Sequence, residues 1–403
     1  MSDTLTPLLR RGLEKNIWKF TLLQISNKRI FVAILSVYFL SVPGVTVWWV
    51  GAFLVIGNIS NFVFDIPSSY IGDKIGHKQA LVLARAFAFA STLTFVLANS
   101  IALLALASVL MSAAFAFQSG VGTAFMHETL RQLNREGEYR KIMGRSSSIG
   151  FAIPAVLMAL VPLTASISFK VPFLIALCTD FFGLMVSFSL TRPTIQSEHK
   201  EEIKGTTMLQ VIRQGLLLRY FRIAVFSGVV SALLDGIDGF RGPYQLSLGV
   251  PVVLFGIFFG TGRALASIML AFSDKIHKWI GDVYAYQRLQ IVIYSGLLFA
   301  IALFATPTVA VVVLIFDNAL QWGLSQVDTG YMLDIIRDNK FKATLLSIGN
   351  QIENVLSIVI VLIMGTAIQF FGYRTSFLVL AGVFLLVLLA IHYYIVKNRK
   401  AVA

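Results

Sequence analysis

Of the chain's 403 residues, 57% are hydrophobic and only 13% charged, with a mean hydropathy of +0.79, against about 45–50% apolar and 25% charged in a soluble domain. That balance excludes a water-soluble globular protein and calls for a bilayer as solvent. The net charge of +13 sits at the ends of apolar segments, so it reports topology and argues against nucleic acid, while the single cysteine, Cys178, excludes an internal disulfide framework.

A spanning helix takes about 20 mainly apolar residues. No short apolar core followed by a small-residue cleavage site opens the sequence, so the first apolar segment is expected to stay in the mature chain. Spans are predicted near 18–43, 47–71, 80–99, 101–126, 146–166 and 171–191, then near 221–246, 252–273, 289–305, 308–330, 343–367 and 374–396. The first contains Asn27, Lys28 and Arg29. Starting it after Arg29 leaves 13 residues before Pro43, too few to cross. Starting it near Trp18 places both basic residues about ten positions inside the bilayer. The alternative is an amphipathic surface helix from Ile17 to Ile25 followed by a short span, and both readings stand. Trp48 and Trp49 open the second span at the predicted outer interface, as membrane anchors or as a substrate clamp. Most Lys and Arg, including Arg131, Arg135, Arg140 and Lys141, fall in the termini and in alternate connections, whereas Lys170 and Arg374 fall on the other side. The positive-inside rule then puts both termini in the cytoplasm.

The longest polar interruption, Arg192 to Arg219, reads as a cytoplasmic linker with a short amphipathic helix. It divides the chain into bundles 1–191 and 221–403 joined by 192–220. The halves repeat each other. Tyr70 to Lys78 (YIGDKIGHK) recurs as Ala271 to Lys278 (AFSDKIHK), Leu40 to Val45 echoes Leu246 to Val250, and Gly51 echoes Gly256. Two duplicated bundles would place a site at their interface, near the midplane.

The run from Pro67 to Lys78, PSSYIGDKIGHK, resembles the loop between spans two and three that marks the major facilitator superfamily. Asp73, Lys74 and Gly76 match; Ser69 stands for the usual first glycine, and His77 replaces the first of two basic residues, the second being Lys78. Asp65-Ile-Pro67 looks like the acidic-x-Pro lead-in of one subgroup. The resemblance implies an all-α integral membrane fold of twelve transmembrane helices in two pseudo-symmetric six-helix bundles, acting as a transporter by alternating access. It also implies a gate built from Asp65, Asp73, Lys74, Gly76 and Lys78, with Asp274 and Lys275 as the repeat's counterparts. Two departures matter. The arginine that many proton-coupled members carry before a Gly-x-Gly-x-Ala element is Ala116 here, and the fifth span, around Pro154, lacks the antiporter signature.

A charge at mid-bilayer costs roughly 2.5–3.5 kcal/mol on insertion scales, so each needs a partner. Span seven carries Asp235, Asp238 and Arg241. Aligning the repeats at Gly44 and Gly249 brings Arg29 to the depth of Asp235, so a contact from Lys28 or Arg29 to Asp235 or Asp238 is expected across a cavity that the family lines with spans one, four, seven and ten. Asp238 and Arg241, at i and i+3, can instead satisfy each other, leaving Asp235 free to titrate. Asp317, Gln321, Ser325 and Asp328 form one polar stripe on span ten, lining a cavity or hydrogen-bonding in a packed seam. Glu353 on span eleven and Arg263 on span eight are candidates to neutralise each other. Asp180 and Arg85, on helices the family keeps peripheral, read as structural pairing or snorkelling. Met126-His127-Glu128 and Met332-Leu333-Asp334 repeat a Met-x-acid pattern that suits a gate contact. His127-Glu128 lacks the second histidine of a zinc-protease motif, and no phosphate-binding Gly-Lys-Ser/Thr loop occurs.

The expectation is therefore a multi-pass protein of the cell membrane, plasma or bacterial inner, without enzymatic activity, metal or cofactor. It is read as a monomer moving a small polar or charged molecule, with Lys28, Arg29, Asp235, Asp238, Arg241, Asp317, Gln321 and Glu353 as the binding and coupling set. Protons or sodium are the candidate coupling ions. Burial favours the protonated form of a carboxylate and a nearby cation favours its release, so coupling is placed at Asp235 or Asp317. A facilitative uniporter, and a transporter-like receptor or scaffold without flux, are the alternatives.

Overall fold

A computed structural model describes residues 6–118, 121–193, 220–336 and 342–398, and all but the ends of the predicted linker 192–220 lies outside these. Among the described residues every regular element is helical. Ten stretches are long and apolar enough to cross a membrane. Many large apolar side chains on them, Phe181, Phe182, Phe370, Phe371 and Leu386 among them, lie exposed on the protein surface. In water such exposure is unfavourable by about 25 cal/mol per Å²; lipid removes that penalty.

Two compact units emerge. The first comprises residues 1–35, 42–44 and 56–202, the second residues 36–41, 45–55 and 203–403. In the first, helix α1 (Pro7–Ser26) packs on α7 (Tyr139–Leu160) and α8 (Val171–Phe188), while α4 (His77–Leu97) packs on α5 (Ile101–Gln118) and α8. Helix α1 starts well before Trp18, capped by the Thr6 hydroxyl, which accepts from the Leu9 amide at 3.4 Å. Its buried stripe, Leu13, Asn16, Phe20, Leu23 and Ser26, follows helical spacing. The helix is thus packed within the unit, and it is not among the ten stretches apolar enough to span.

The chain leaves the helix at Asn27 and resumes only at a 3-10 turn, Val32–Ile34, followed by α2 (Leu35–Leu40). A broken helix inside a bilayer leaves carbonyls that protein groups must satisfy. Here the buried Arg85 guanidinium donates to the Ser26 carbonyl at 3.0 Å, and to the side chains of Asn27 and Gln118. The break is a capped structure. Helices α3 (Val47–Ile75) and α6 (Val121–Gln132) complete this region, residues 47–55 of α3 grouping with the second unit.

In the second unit α9 (Tyr220–Ser247) is the most enclosed span, with 67% of its apolar window buried. It packs along α15 (Lys342–Lys397), and α12 (Val283–Leu303) packs on α15 as well. Helix α10 (Phe255–Ala271) packs on α13 (Pro307–Gly323). The short α11 (Ser273–Ile280) contacts α14 (Ser325–Ile336). The long run of α15 is interrupted at Gly372, whose φ of +73° no helix contains. Small residues bring α3 into this unit: a Cβ on Gly51 would lie 3.1 Å from the Phe240 ring and 3.6 Å from the Gly365 Cα. The repeat read from the sequence has a backbone counterpart, since Gly44 and Gly249 both adopt φ +78°.

Candidate functional site

In the first unit Arg29, Asp180 and Arg85 find their partners inside the unit. Arg29, 8% exposed, places Nη1 3.1 and 2.9 Å from the two carboxylate oxygens of Asp180, which is 2% exposed. The Thr92 hydroxyl donates to Asp180 Oδ2 at 2.6 Å. Arg29 thus has Asp180 as its carboxylate partner, and the expected pairing with Asp235 or Asp238 is corrected; Asp180 on α8 fills that role because the break in the first span turns Arg29 toward α4 and α8. Lys28 is exposed. Arg85 does not snorkel but stays buried as the cap described above.

In the second unit, Asp238 and Arg241 form an ion pair along α9. Arg241 lies 5.1 Å from the Phe259 ring centroid. Arg263 stacks 3.8 Å from the Trp322 ring centroid and 4.9 Å from that of Phe259. Its positive charge is held by aromatic faces, so the expected neutralisation of Glu353 by Arg263 is also corrected. Asp317, 1% exposed, has no hydrogen-bond partner for either oxygen.

Beside this group, α9, α12, α13, α14 and α15 enclose a cavity of about 310 Å³. Asp235, Asp328 and Glu353 face it from three helices, and no Lys, Arg or His is among its lining residues. Gln321 Nε2 donates to Asp235 Oδ1 at 3.5 Å and the Ser357 hydroxyl to Asp235 Oδ2 at 3.3 Å. The Ser227 hydroxyl donates to Asp328 Oδ1 at 3.2 Å. Of the predicted set, Asp235, Gln321 and Glu353 come together here; Asp238, Arg241 and Asp317 do not line the cavity. Of the span-ten stripe, Gln321, Ser325 and Asp328 line it.

Of the predicted gate residues, Gly76 falls at the turn between α3 and α4, whereas Asp65 and Lys74 lie within α3 and Glu128 within α6. Gly76 adopts φ +101° and precedes α4; a Cβ there would meet Arg192 Nη2 at 3.2 Å. The side chain of Asp73 lies outside the described residues. Lys74 is exposed, while Asp65 and Lys78 are half-buried. Glu128 lies 2.9 Å from His77 Nδ1, and its repeat counterpart Asp334 lies 3.3 Å from His277 Nε2. Asp274 pairs with Lys278 of its own helix at 2.7 Å, both exposed, and Lys275 lies 5.4 Å from the Phe272 ring.

Tyr286, Gln290 and Tyr294 were absent from the sequence-derived set although they line the cavity. Their spacing of four, which puts them on one face of α12, is the signal that finds them.

The sequence from residue 20 to 331 matches the profile of the Major Facilitator Superfamily. The chain belongs to the Major Facilitator Superfamily. Solved structures similar to this member include the nucleoside transporter NupG, at 14% identity and a TM-score of 0.75, covering 95% of this chain and 98% of that one. A D-xylose-proton symporter aligns at 13% identity and TM-score 0.65, covering 96% and 97%. A peptide transporter, POT, aligns at 14% and 0.70, covering 96% and 95%. A search of curated protein sequences returned no match. This superfamily member is a multi-pass membrane transporter, not an enzyme.

Proposed function

We propose that the chain is a secondary active transporter with twelve spans in two six-helix bundles, moving a small polar or charged solute by alternating access and coupled to a proton or sodium gradient. It acts as a monomer in the cell membrane with both termini cytoplasmic. The observation that carries this reading is the 310 Å³ cavity faced by Asp235, Asp328 and Glu353 without a lining cation. A half-buried carboxylate with no basic side chain lining its cavity is a site where binding a proton or another cation changes the local charge, and intramembrane carboxylates of this kind mark ion and solute pathways. Similar solved structures described as nucleoside, D-xylose-proton and peptide carriers support a polar solute and make proton coupling a natural choice.

The test is flux of a metabolite panel in sealed proteoliposomes under imposed pH or sodium gradients, comparing the native chain with Asp235→Asn. Gradient-driven flux that the substitution abolishes is the expected result. Flux indifferent to both gradients and to the substitution points to a uniporter, and absence of flux for every solute points to a receptor or scaffold.

A further inference from the structure

Donors and acceptors around the cavity do not balance. Three carboxylates face it, and the two hydrogen bonds that Asp235 accepts are long, at 3.5 and 3.3 Å. Gln290, only 5% exposed, lines the same space and its Oε1 has no partner; the half-buried Gln321 likewise leaves its Oε1 unpaired. Buried acceptors without donors are unfavourable by about 1–3 kcal/mol each, so a ligand rich in donors gains most here. The walls add Tyr286, Tyr294 and Trp322, whose π faces attract cations. Arg263 covers the Trp322 ring without lining the cavity.

A bare metal ion is a poorer fit. Such ions need several oxygens converging at about 2–2.6 Å, and among the described residues no group of three or more acidic, His or Cys side chains is arranged to hold one. The carboxylates surround a space instead of meeting at a point, and about 310 Å³ is at the lower end of small-molecule pockets.

We infer that this cavity binds a small organic cation, its ammonium or amidinium group donating to Asp235, Asp328, Glu353 and the unpaired Gln290 oxygen while its apolar part lies against the tyrosines. The inference deepens the transport reading and rests on it for the cavity's role. It names a substrate class, positively charged amines, and assigns the choice of charge to residues of α9, α12, α14 and α15 within one unit.

The test uses three probes of nearly one shape: tyramine, which is cationic, tyrosol, which is neutral, and 4-hydroxyphenylacetate, which is anionic. Full-length protein in lipid nanodiscs is titrated with each by calorimetry, and radiolabelled tyramine is displaced by the other two. Saturable binding of tyramine at least about tenfold tighter than of tyrosol, the size of one charge-assisted hydrogen bond, with weaker binding still for the anion, is expected. Asp328→Asn combined with Glu353→Gln should erase that preference. Equal or tighter binding of the neutral or anionic probe, a preference untouched by the double substitution, or no saturable tyramine binding each overturns the inference; the first and last are read on the native chain and need no variant to fold. Proteoliposome uptake separates the two readings: tyramine binding without uptake of any solute sinks transport and spares the inference. Uptake of a neutral or anionic solute without tyramine binding does the reverse.

Discussion

Breaking the Arg29–Asp180 pair should be among the most damaging single changes outside the cavity. At a separation of 2.9 Å the gross attraction is about 6 kcal/mol for an effective dielectric near 20. Much of that is consumed by desolvating two buried charges, so the pair as a whole adds little over an apolar replacement. Removing one partner is different, because the other charge stays buried and unpaired at about 3–5 kcal/mol. Asp180→Asn keeps an acceptor for the Thr92 hydroxyl but removes the charge, and should lower the unfolding free energy by about 3 kcal/mol. Arg29→Met should lower it similarly. The double variant should recover about 2 kcal/mol or more relative to the sum of the single changes. The assay is SDS-titrated unfolding in mixed micelles for all four corners of the cycle. Additive losses, or single losses under about 1 kcal/mol, would refute the reasoning and show that water or lipid headgroups reach the pair.

Gly76→Ala should destabilise by about 1–2 kcal/mol through its left-handed backbone, with the Arg192 contact adding to the loss, and thermal unfolding in detergent reads it; an unchanged midpoint would mean the turn relaxes freely. Arg263→Lys should lose about 1 kcal/mol because an ammonium cannot stack on Trp322 as a guanidinium does, visible as a lower unfolding midpoint with Arg263→Gln lower still. Asp274 is held below the ordinary carboxylate range by the hydrogen bond and charge of Lys278. A lowered folded-state value stabilises above the unfolded value and the gain is lost as pH falls through the folded one. Any difference between native protein and Asp274→Asn should therefore appear at neutral pH and vanish in acid below the carboxylate range, and since both partners are exposed it should be small. A gap that widened toward acid would contradict the sign.

Much of the architecture is legible without coordinates because lipid imposes one constraint everywhere: each span must be long, apolar and internally hydrogen-bonded. That is why most of the predicted spans (though not the broken one at 18–43), the glycine turns at Gly44 and Gly249 and the signature loop around Gly76 can be read in order along the chain. The local pairing of Asp238 with Arg241 is legible too, because i, i+3 neighbours on one helix meet whatever surrounds them. One wall of the cavity is readable as a polar stripe on α13 and α14, since Gln321, Ser325 and Asp328 repeat with helical spacing.

What the sequence by itself determined is thus the all-helical, membrane-spanning character, the glycine turns and the residues too costly to leave facing lipid. Only the tertiary structure decided which of those residues meet. Charge and depth in the sequence put Arg29 opposite Asp235, yet the break after Ser26, capped by Arg85, turns Arg29 toward Asp180. Charge alone also matched Arg263 with Glu353, whereas packing of α10 on α13 gave the guanidinium two aromatic faces and left the carboxylate to the cavity. Spacing along one helix is fixed by its 3.6-residue period, but pairing between helices depends on the rotation and crossing of whole elements, set by many apolar contacts that no single polar residue encodes.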